Sequence, residues 1–296
     1  MNKELIVVVG PTAIGKTQLA IDLAQHFDTS IISADSRQFY KEMTIGTAVP
    51  SKKELATVPH FCVQHKSILD QYTVRDFEIE ALLLIDQIFQ KSNKAILVGG
   101  SGLYAKAVVE GLDDIPDIKP SIREELNKKL EINGLSSLVN QLRETDPAII
   151  TSIDLQNPRR VIRALEVVMS TGQSLLTFQK NQKEKRPFLV KTIGLTTNRN
   201  NLYERIERRV DLMIANGLVE EVEGLFEYQH LNALQTVGYR EIFDFIKGAE
   251  NLENAILKIK QNSRRFAKRQ LTFFNNQMQV EWHDCSTPVE KIIETL

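Results

Sequence analysis

The sequence predicts an α/β fold, a parallel sheet of the phosphate-loop type, interrupted by an all-helical insertion. Three observations carry that expectation. Short β-branched apolar runs alternate with amphipathic helical patterns, the order that right-handed strand–helix–strand crossovers require. A glycine-containing string, Gly10-Pro11-Thr12-Ala13-Ile14-Gly15-Lys16-Thr17, lies between the first strand pattern and the first helix pattern. From about Asp113 to Arg186 nothing reads as a buried strand, while three helical patterns follow one another.

Leu5-Ile-Val-Val-Val9 suits a strand buried on both faces. Lys16–Phe27 shows helical spacing through Leu19, Ala20, Leu23 and Phe27, and Ser30–Ser33 is a second strand ending at Ala34-Asp35-Ser36. Phe77–Phe89 reads as a helix and Ala95–Val98 as a strand closed by Gly99-Gly100. In the insertion, Pro120 opens a pattern of Ile122, Leu126 and Leu130 that Gly134 caps. Ser136–Arg143 and Pro158–Met169 add two helices, the last stopped near Gly172. Lys180, Lys183, Lys185 and Arg186 form a basic return. Leu189–Leu195 and Gln279–Trp282 are strand patterns, and Leu202–Leu225 and Leu252–Phe274 long helical ones. The expected division is residues 1–112 with 187–296 as the core and 113–186 as the insertion.

Composition narrows the class. The chain has 296 residues, 42% hydrophobic and 25% charged, with a mean hydropathy of −0.21, which excludes collagen-like, disordered and membrane classes. The apolar run Leu5–Val9 is far short of the ~20 residues of a membrane span. It also starts too near Met1, behind too little positive charge, for a signal peptide. Two cysteines, Cys62 and Cys285, are too few for a disulfide framework, so a reducing compartment, the cytoplasm, is expected. No membrane partner is expected, and a monomer is. With a formal charge of −1, any contact with nucleic acid must rest on local basic clusters.

Residues 10–17 satisfy the phosphate-loop pattern G-x-x-x-x-G-K-[ST]. Glycines let successive N–H groups converge on one anion at the positive end of a helix. Lys16 adds a mobile charge for the outer phosphate, and the Thr17 hydroxyl suits Mg²⁺. This pattern indicates a di- or triphosphate without saying which. An ordinary phosphate-loop hydrolase would next show an apolar strand ending in Asp. Here Ala95–Val98 ends in Gly99-Gly100-Ser101-Gly102, and the carboxylate at a strand end is Asp35. Since carboxyl ends of strands face the ligand crevice, Asp35 and Ser101 should lie near the loop. Asp35 reads as a general base or metal-coordinating carboxylate, with a helix N-cap as the structural alternative.

Seven strings carry a resemblance: 10–17, Ser-Ala-Asp-Ser-x-Gln-x-Tyr (33–40), Ile-Gly-Thr-Ala (45–48), Val-Gly-Gly-Ser-Gly-Leu-Tyr (98–104), Asn-Pro-Arg-Arg-Val-Ile-Arg-Ala-Leu-Glu (157–166), Val-Gly-Tyr-Arg-Glu (237–241) and Arg-Phe-Ala-Lys-Arg-Gln (265–270). In this order, over nearly the whole chain, they resemble the tRNA dimethylallyltransferase family, also called tRNA isopentenyltransferases or IPP transferases. The departures are Ile14 for a Ser, Ser101 for a Thr, Thr236 beside the Val-Gly-Tyr-Arg run, Phe273 for a Trp, and Pro59-His60-Phe61 in place of a string with a second His. His60 and His65 therefore read as ordinary polar histidines.

The resemblance implies a loop that holds dimethylallyl diphosphate rather than ATP. It implies prenylation of the exocyclic amine of the adenosine at tRNA position 37, next to the anticodon, with release of diphosphate. The diphosphate set it implies is Gly10, Pro11, Thr12, Ala13, Ile14, Gly15, Lys16, Thr17, Arg205 and Arg209, with Mg²⁺ on Thr17. The catalytic set is Asp35, Thr12, Lys16 and Arg209. Arg205 and Arg209, four apart, share a helix face; a solvated face paired with Glu204 and Glu207 is the alternative, and the family's Arg-Ile-x-x-Arg segment favours a clamp. The implied tRNA-facing set is Asp35, Ser36, Arg37, Gln38, Ser101, Arg123, Arg159, Arg160, Val161, Ile162, Arg163, Gln235, Gly238, Tyr239, Arg240, Arg265 and Arg269, with Gly238 equally explicable by backbone demands. Ile256–Gln270 holds six basic residues and no acidic one, as phosphate contacts that set position would need. Chemistry on a base requires it to leave its stack, so a channel between core and insertion is expected. The rivals are a small-molecule or nucleotide kinase, a nucleotide-regulated RNA-binding protein, and a prenyltransferase acting on free adenine nucleotides.

Overall fold

The computed structural model describes residues 3–116, 118–179 and 184–296; of the basic return, Lys180 and Lys183 lie outside them. The chain folds as two compact units, Met1–Gly111 with Lys185–Leu296, and Leu112–Glu184.

In the first unit the order is β1 (Glu4–Val9), α1 (Lys16–His26), β2 (Ile31–Ser33), α2 (Lys52–Thr57), β3 (His60–Phe61), α3 (Val74–Ile88), β4 (Lys94–Val98) and α4 (Gly102–Glu110). The second unit holds α5 (Pro120–Thr145), α6 (Pro158–Thr171) and α7 (Leu175–Phe178). The first unit resumes with β5 (Leu189–Thr196), α8 (Arg199–Ala215), α9 (Leu218–Glu223), α10 (Tyr239–Ile246), α11 (Leu252–Gln277), β6 (Glu281–Asp284) and α12 (Val289–Ile293).

Six strands form one parallel sheet in the order β3-β2-β4-β1-β5-β6. Leu5 to Val9 are wholly buried, because alternate residues pack into cores on the two sheet faces: Leu5, Val7 and Val9 on one, Ile6 and Val8 on the other. The register aligns Val8 with Val98 and Ser33 with Val98. Residues after β1, β2 and β4 consequently emerge side by side at the carboxyl edge. Their closeness explains Gly99, where a Cβ would lie 2.4 Å from the Ala34 carbonyl oxygen.

Two boundaries differ from the sequence pattern for physical reasons. The long pattern Leu202–Leu225 is two helices: α8 ends at Ala215, and Gly217 (φ 97°) turns the chain before α9. The N-terminus of α3 lies earlier than Phe77, because Thr73 accepts from the Asp76 N–H while the Asp76 carboxylate accepts from the Thr73 N–H. In the helical unit, Gly134 (φ 73°, ψ 173°) breaks α5 internally. Leu126, Leu138, Leu142, Ile149, Val161 and Leu165 form its core.

Candidate active site

The phosphate loop follows β1 directly. Gly10 has φ 143°, and a Cβ there would stand 2.6 Å from the Leu195 carbonyl oxygen. Ala13 (φ 63°) and Gly15 (φ 107°) take left-handed conformations, curling the chain onto the N-terminus of α1. No side chain caps α1, so its first N–H groups and helix dipole are presented to an anion. Lys16 donates to the Pro11 carbonyl oxygen at 2.7 Å. Burial lowers its pKa to about 8; Asp35 opposes that shift and Arg209 adds to it. Burial likewise pushes Arg209 down, against the attraction of Asp35.

Thr12, Lys16, Thr17, Asp35, Arg209 and Gln270 line one pocket, with Ala48, His60, Val63 and Phe266 in its wall. Arg205 is exposed and donates from Nε to the Ala13 carbonyl oxygen at 2.8 Å, so both arginines of the α8 face reach the loop. Burial keeps the His60 imidazole below its usual pKa, hence neutral near pH 7. Thr17 brings its hydroxyl to the same pocket, and a hard oxygen donor of this kind would suit Mg²⁺.

Asp35 caps a turn and not a helix. Its Oδ1 accepts from the Arg37 N–H at 3.0 Å, and residues 36–39 are turns. Ser101, at the start of α4, accepts from the Ser36 N–H at 2.9 Å and donates to Ser36 Oγ at 3.0 Å. Gln38 donates to the carbonyl oxygens of Thr47 and Ala48 at 3.2 and 3.0 Å. The Ser33–Gln38 segment is thus tied to both the β4–α4 loop and the Ile45–Ala48 string.

Three residues of the tRNA-facing set need correction. Tyr239 is wholly buried, its hydroxyl donating to Glu221 at 2.6 Å; it is a core residue under the 44–48 loop. Val161 and Ile162 are buried in the core of the helical unit, because their face of α6 is the apolar one. Gly238 has φ 98° and caps α10, which is the backbone reason for a glycine there. Arg123 is committed to the buried Glu166, its Nη2 lying 2.8 Å from Oε2. Arg159, Arg160, Gln235, Arg240, Arg265 and Arg269 are exposed, and Arg163 is half-buried at 3.5 Å from Glu166. Of the basic residues on α11, Arg264 pairs with Glu207 at 2.5 Å, Lys260 with Asp211 at 2.6 Å, and Lys258 with Glu250.

Sequence reasoning missed Gln270 and Glu221. Gln270 sits in a basic helix and Glu221 in an acidic one, and each reads as solvated surface. Their partners are distant in sequence: Gln270 accepts from the Thr12 N–H at 2.8 Å and donates to the Gly100 carbonyl oxygen at 2.9 Å. Glu221 accepts from the N–H groups of Thr44, Ile45 and Gly46 at 2.7 to 3.0 Å.

The chain is similar to known proteins along nearly its whole length. The family model described as IPP transferase matches residues 38–277. A tRNA dimethylallyltransferase of Christiangramia forsetii is 52% identical over 284 residues, covering 96% of this chain and 94% of that protein. One from Flavobacterium psychrophilum is 48% identical, covering 99% and 97%. The crystal structure of a tRNA isopentenylpyrophosphate transferase from Bacillus halodurans superposes with a TM-score of 0.72 at 38% identity, over 99% of this chain and 94% of that one. A eukaryotic dimethylallyltransferase acting on tRNA gives a TM-score of 0.83 at 27% identity, covering 98% and 78%. A matched family model over most of the sequence, and relatives at about half identity along its length, make one conclusion plain: the chain belongs to the IPP transferase family.

Proposed function

We propose that this protein transfers the dimethylallyl group of dimethylallyl diphosphate to the exocyclic amine of the tRNA adenosine at position 37, next to the anticodon. The observation that carries the reading is the meeting of Lys16, Arg209 and Asp35 in one pocket, cations for a diphosphate beside a carboxylate for a proton. The β4 strand runs into Gly99-Gly100-Ser101, so the carboxylate that a phosphate-loop hydrolase places there is replaced by a small-residue turn. That departure favours prenyl transfer over the kinase reading.

In this mechanism the C–O bond between the allylic carbon and the diphosphate breaks, and its electron pair leaves with the diphosphate. Negative charge grows on the oxygens held by the loop N–H groups, Lys16, Arg205 and Arg209, where fixed donors are most effective. The adenine nitrogen bonds to the allylic carbon, and the proton it then releases passes to Asp35. Thr17 is the residue that would hold Mg²⁺, which would supply further neutralisation of the diphosphate.

Arg265 and Arg269 on α11, and Arg159, Arg160 and Arg163 on α6, are the residues we assign to tRNA phosphates. The pocket is complete within a single chain, which supports action as a monomer, and a tRNA substrate supports a cytoplasmic location. Among the described residues no helix is long and apolar enough to cross a membrane. The test incubates the protein with unmodified tRNA, dimethylallyl diphosphate and Mg²⁺, then analyses the nucleosides by mass spectrometry. Isopentenyladenosine from the anticodon loop is the expected product. ATP consumption without such a product would replace this reading with the kinase one.

A further inference from the structure

The Pro11–Thr12 peptide is gripped from both sides. Its carbonyl oxygen accepts from Lys16 Nζ at 2.7 Å, and its N–H donates to Gln270 Oε1 at 2.8 Å. Gln270 is only 6% exposed, and its own amide is fixed by donation from Nε2 to the Gly100 carbonyl oxygen at 2.9 Å. The space is shaped for it, since a Cβ on Gly100 would fall 2.3 Å from Gln270 Nε2. Lys16 Nζ stands close by, 3.7 Å from that same Cβ position. Gln270 also belongs to α11, the helix that carries Arg265 and Arg269.

The two grips differ in permanence. A diphosphate bound in the pocket would compete with the Pro11 carbonyl oxygen for the Lys16 ammonium. The peptide then keeps one side-chain anchor. We propose that Gln270 is a positioning residue that locks the Pro11–Thr12 peptide when Lys16 leaves it for the diphosphate. It holds the Thr12 side chain toward the pocket and ties the phosphate loop to the helix assigned to tRNA. The inference rests on the diphosphate reading above. Removing Gln270 costs the occupied loop more than the empty one, because the empty loop still has Lys16 on Pro11. Thermodynamic linkage turns that difference into weaker binding.

The test measures binding of inorganic pyrophosphate by calorimetry to the full chain and to Gln270→Ala and Gln270→Glu. Gln270→Ala should bind about tenfold more weakly, the scale of one net hydrogen bond, with thermal melting confirming that it is folded. Gln270→Glu carries a pH signature that a purely structural role would not produce. When protonated, the introduced carboxyl keeps both an acceptor for Thr12 and a donor for Gly100. When ionised it loses the donor and competes with the diphosphate for Lys16. Its affinity relative to wild type should therefore fall as pH rises through the ionisation of that carboxyl. Equal pyrophosphate affinity in wild type and folded Gln270→Ala, or a pH-independent ratio for Gln270→Glu, overturns the inference alone. A wild-type protein that does not bind pyrophosphate overturns the functional reading on which it rests.

Discussion

The hydroxyl of Tyr239 donates to Glu221 at 2.6 Å, and the same carboxylate gathers the N–H groups of Thr44, Ile45 and Gly46. One buried phenol and one carboxylate thereby shape the loop on which Gln38 rests through Thr47 and Ala48. Tyr239→Phe should cost about 1.5–3 kcal/mol in urea unfolding, the worth of a hydrogen bond to a charged group. Gly46→Ala should cost more, because a Cβ would sit 2.5 Å from the Tyr239 ring. If Tyr239→Phe instead lowers tRNA affinity at unchanged stability, the residue faces the tRNA after all.

Lys16 should make ligand affinity pH-dependent. Burial lowers its pKa from 10.5 to about 8, whereas a bound diphosphate favours the ammonium form. Above pH 8 the empty protein must take up a proton to bind, so affinity should fall by up to about tenfold per pH unit. In Lys16→Met, calorimetry should show that step gone. The sign for stability is opposite: between pH 8 and 10.5 the unfolded chain holds more protons, so stability of the empty protein rises with pH across that window.

Asp35→Asn isolates proton acceptance. Asparagine retains an oxygen for the Arg37 N–H, now met at 3.0 Å, so the turn should survive. Loss of a general base typically costs about 10²–10⁴-fold, and kcat should drop in that range with pyrophosphate affinity near wild type. Near-normal turnover, or rescue by added Mg²⁺, would remove Asp35 from the role of base.

The ion pairs on α11 sort its basic residues. Arg265 and Arg269 are exposed, whereas Arg264 and Lys260 are paired with Glu207 and Asp211. Arg265→Ala with Arg269→Ala should weaken tRNA binding and reduce the log–log salt slope by somewhat under one unit per contact. Arg264→Ala should change that slope far less. Equal slopes for both variants, measured by filter binding between low and moderate salt, would place the tRNA surface elsewhere.

Local patterns were enough for the sheet's central strands and the phosphate loop. An apolar run such as Leu5–Val9 has one stable environment, burial on both faces, and the spacing of Gly10, Gly15, Lys16 and Thr17 is enough to recognise the loop. The basic stretch of α11 was equally legible as a run of charge. Its individual assignments were not, since Glu207 and Asp211 come from another helix. Val161 and Ile162 read as part of a basic recognition string because their arginine neighbours are next to them in sequence, yet helical geometry turns them to the opposite, buried face.

By itself the sequence determined an α/β fold, the phosphate-loop pattern of residues 10–17, and the strand end where Asp35 stands. Each depends on residues within a few positions of one another, where chain geometry alone dictates the outcome. Tertiary structure decided that Gln270 and Glu221 hold loops rather than face water, that Tyr239 is core, and that Lys16, Asp35 and Arg209 share a pocket. These relations join residues up to 258 positions apart. No local spacing can encode them, because they exist only once sheet register and helix packing have brought those side chains together.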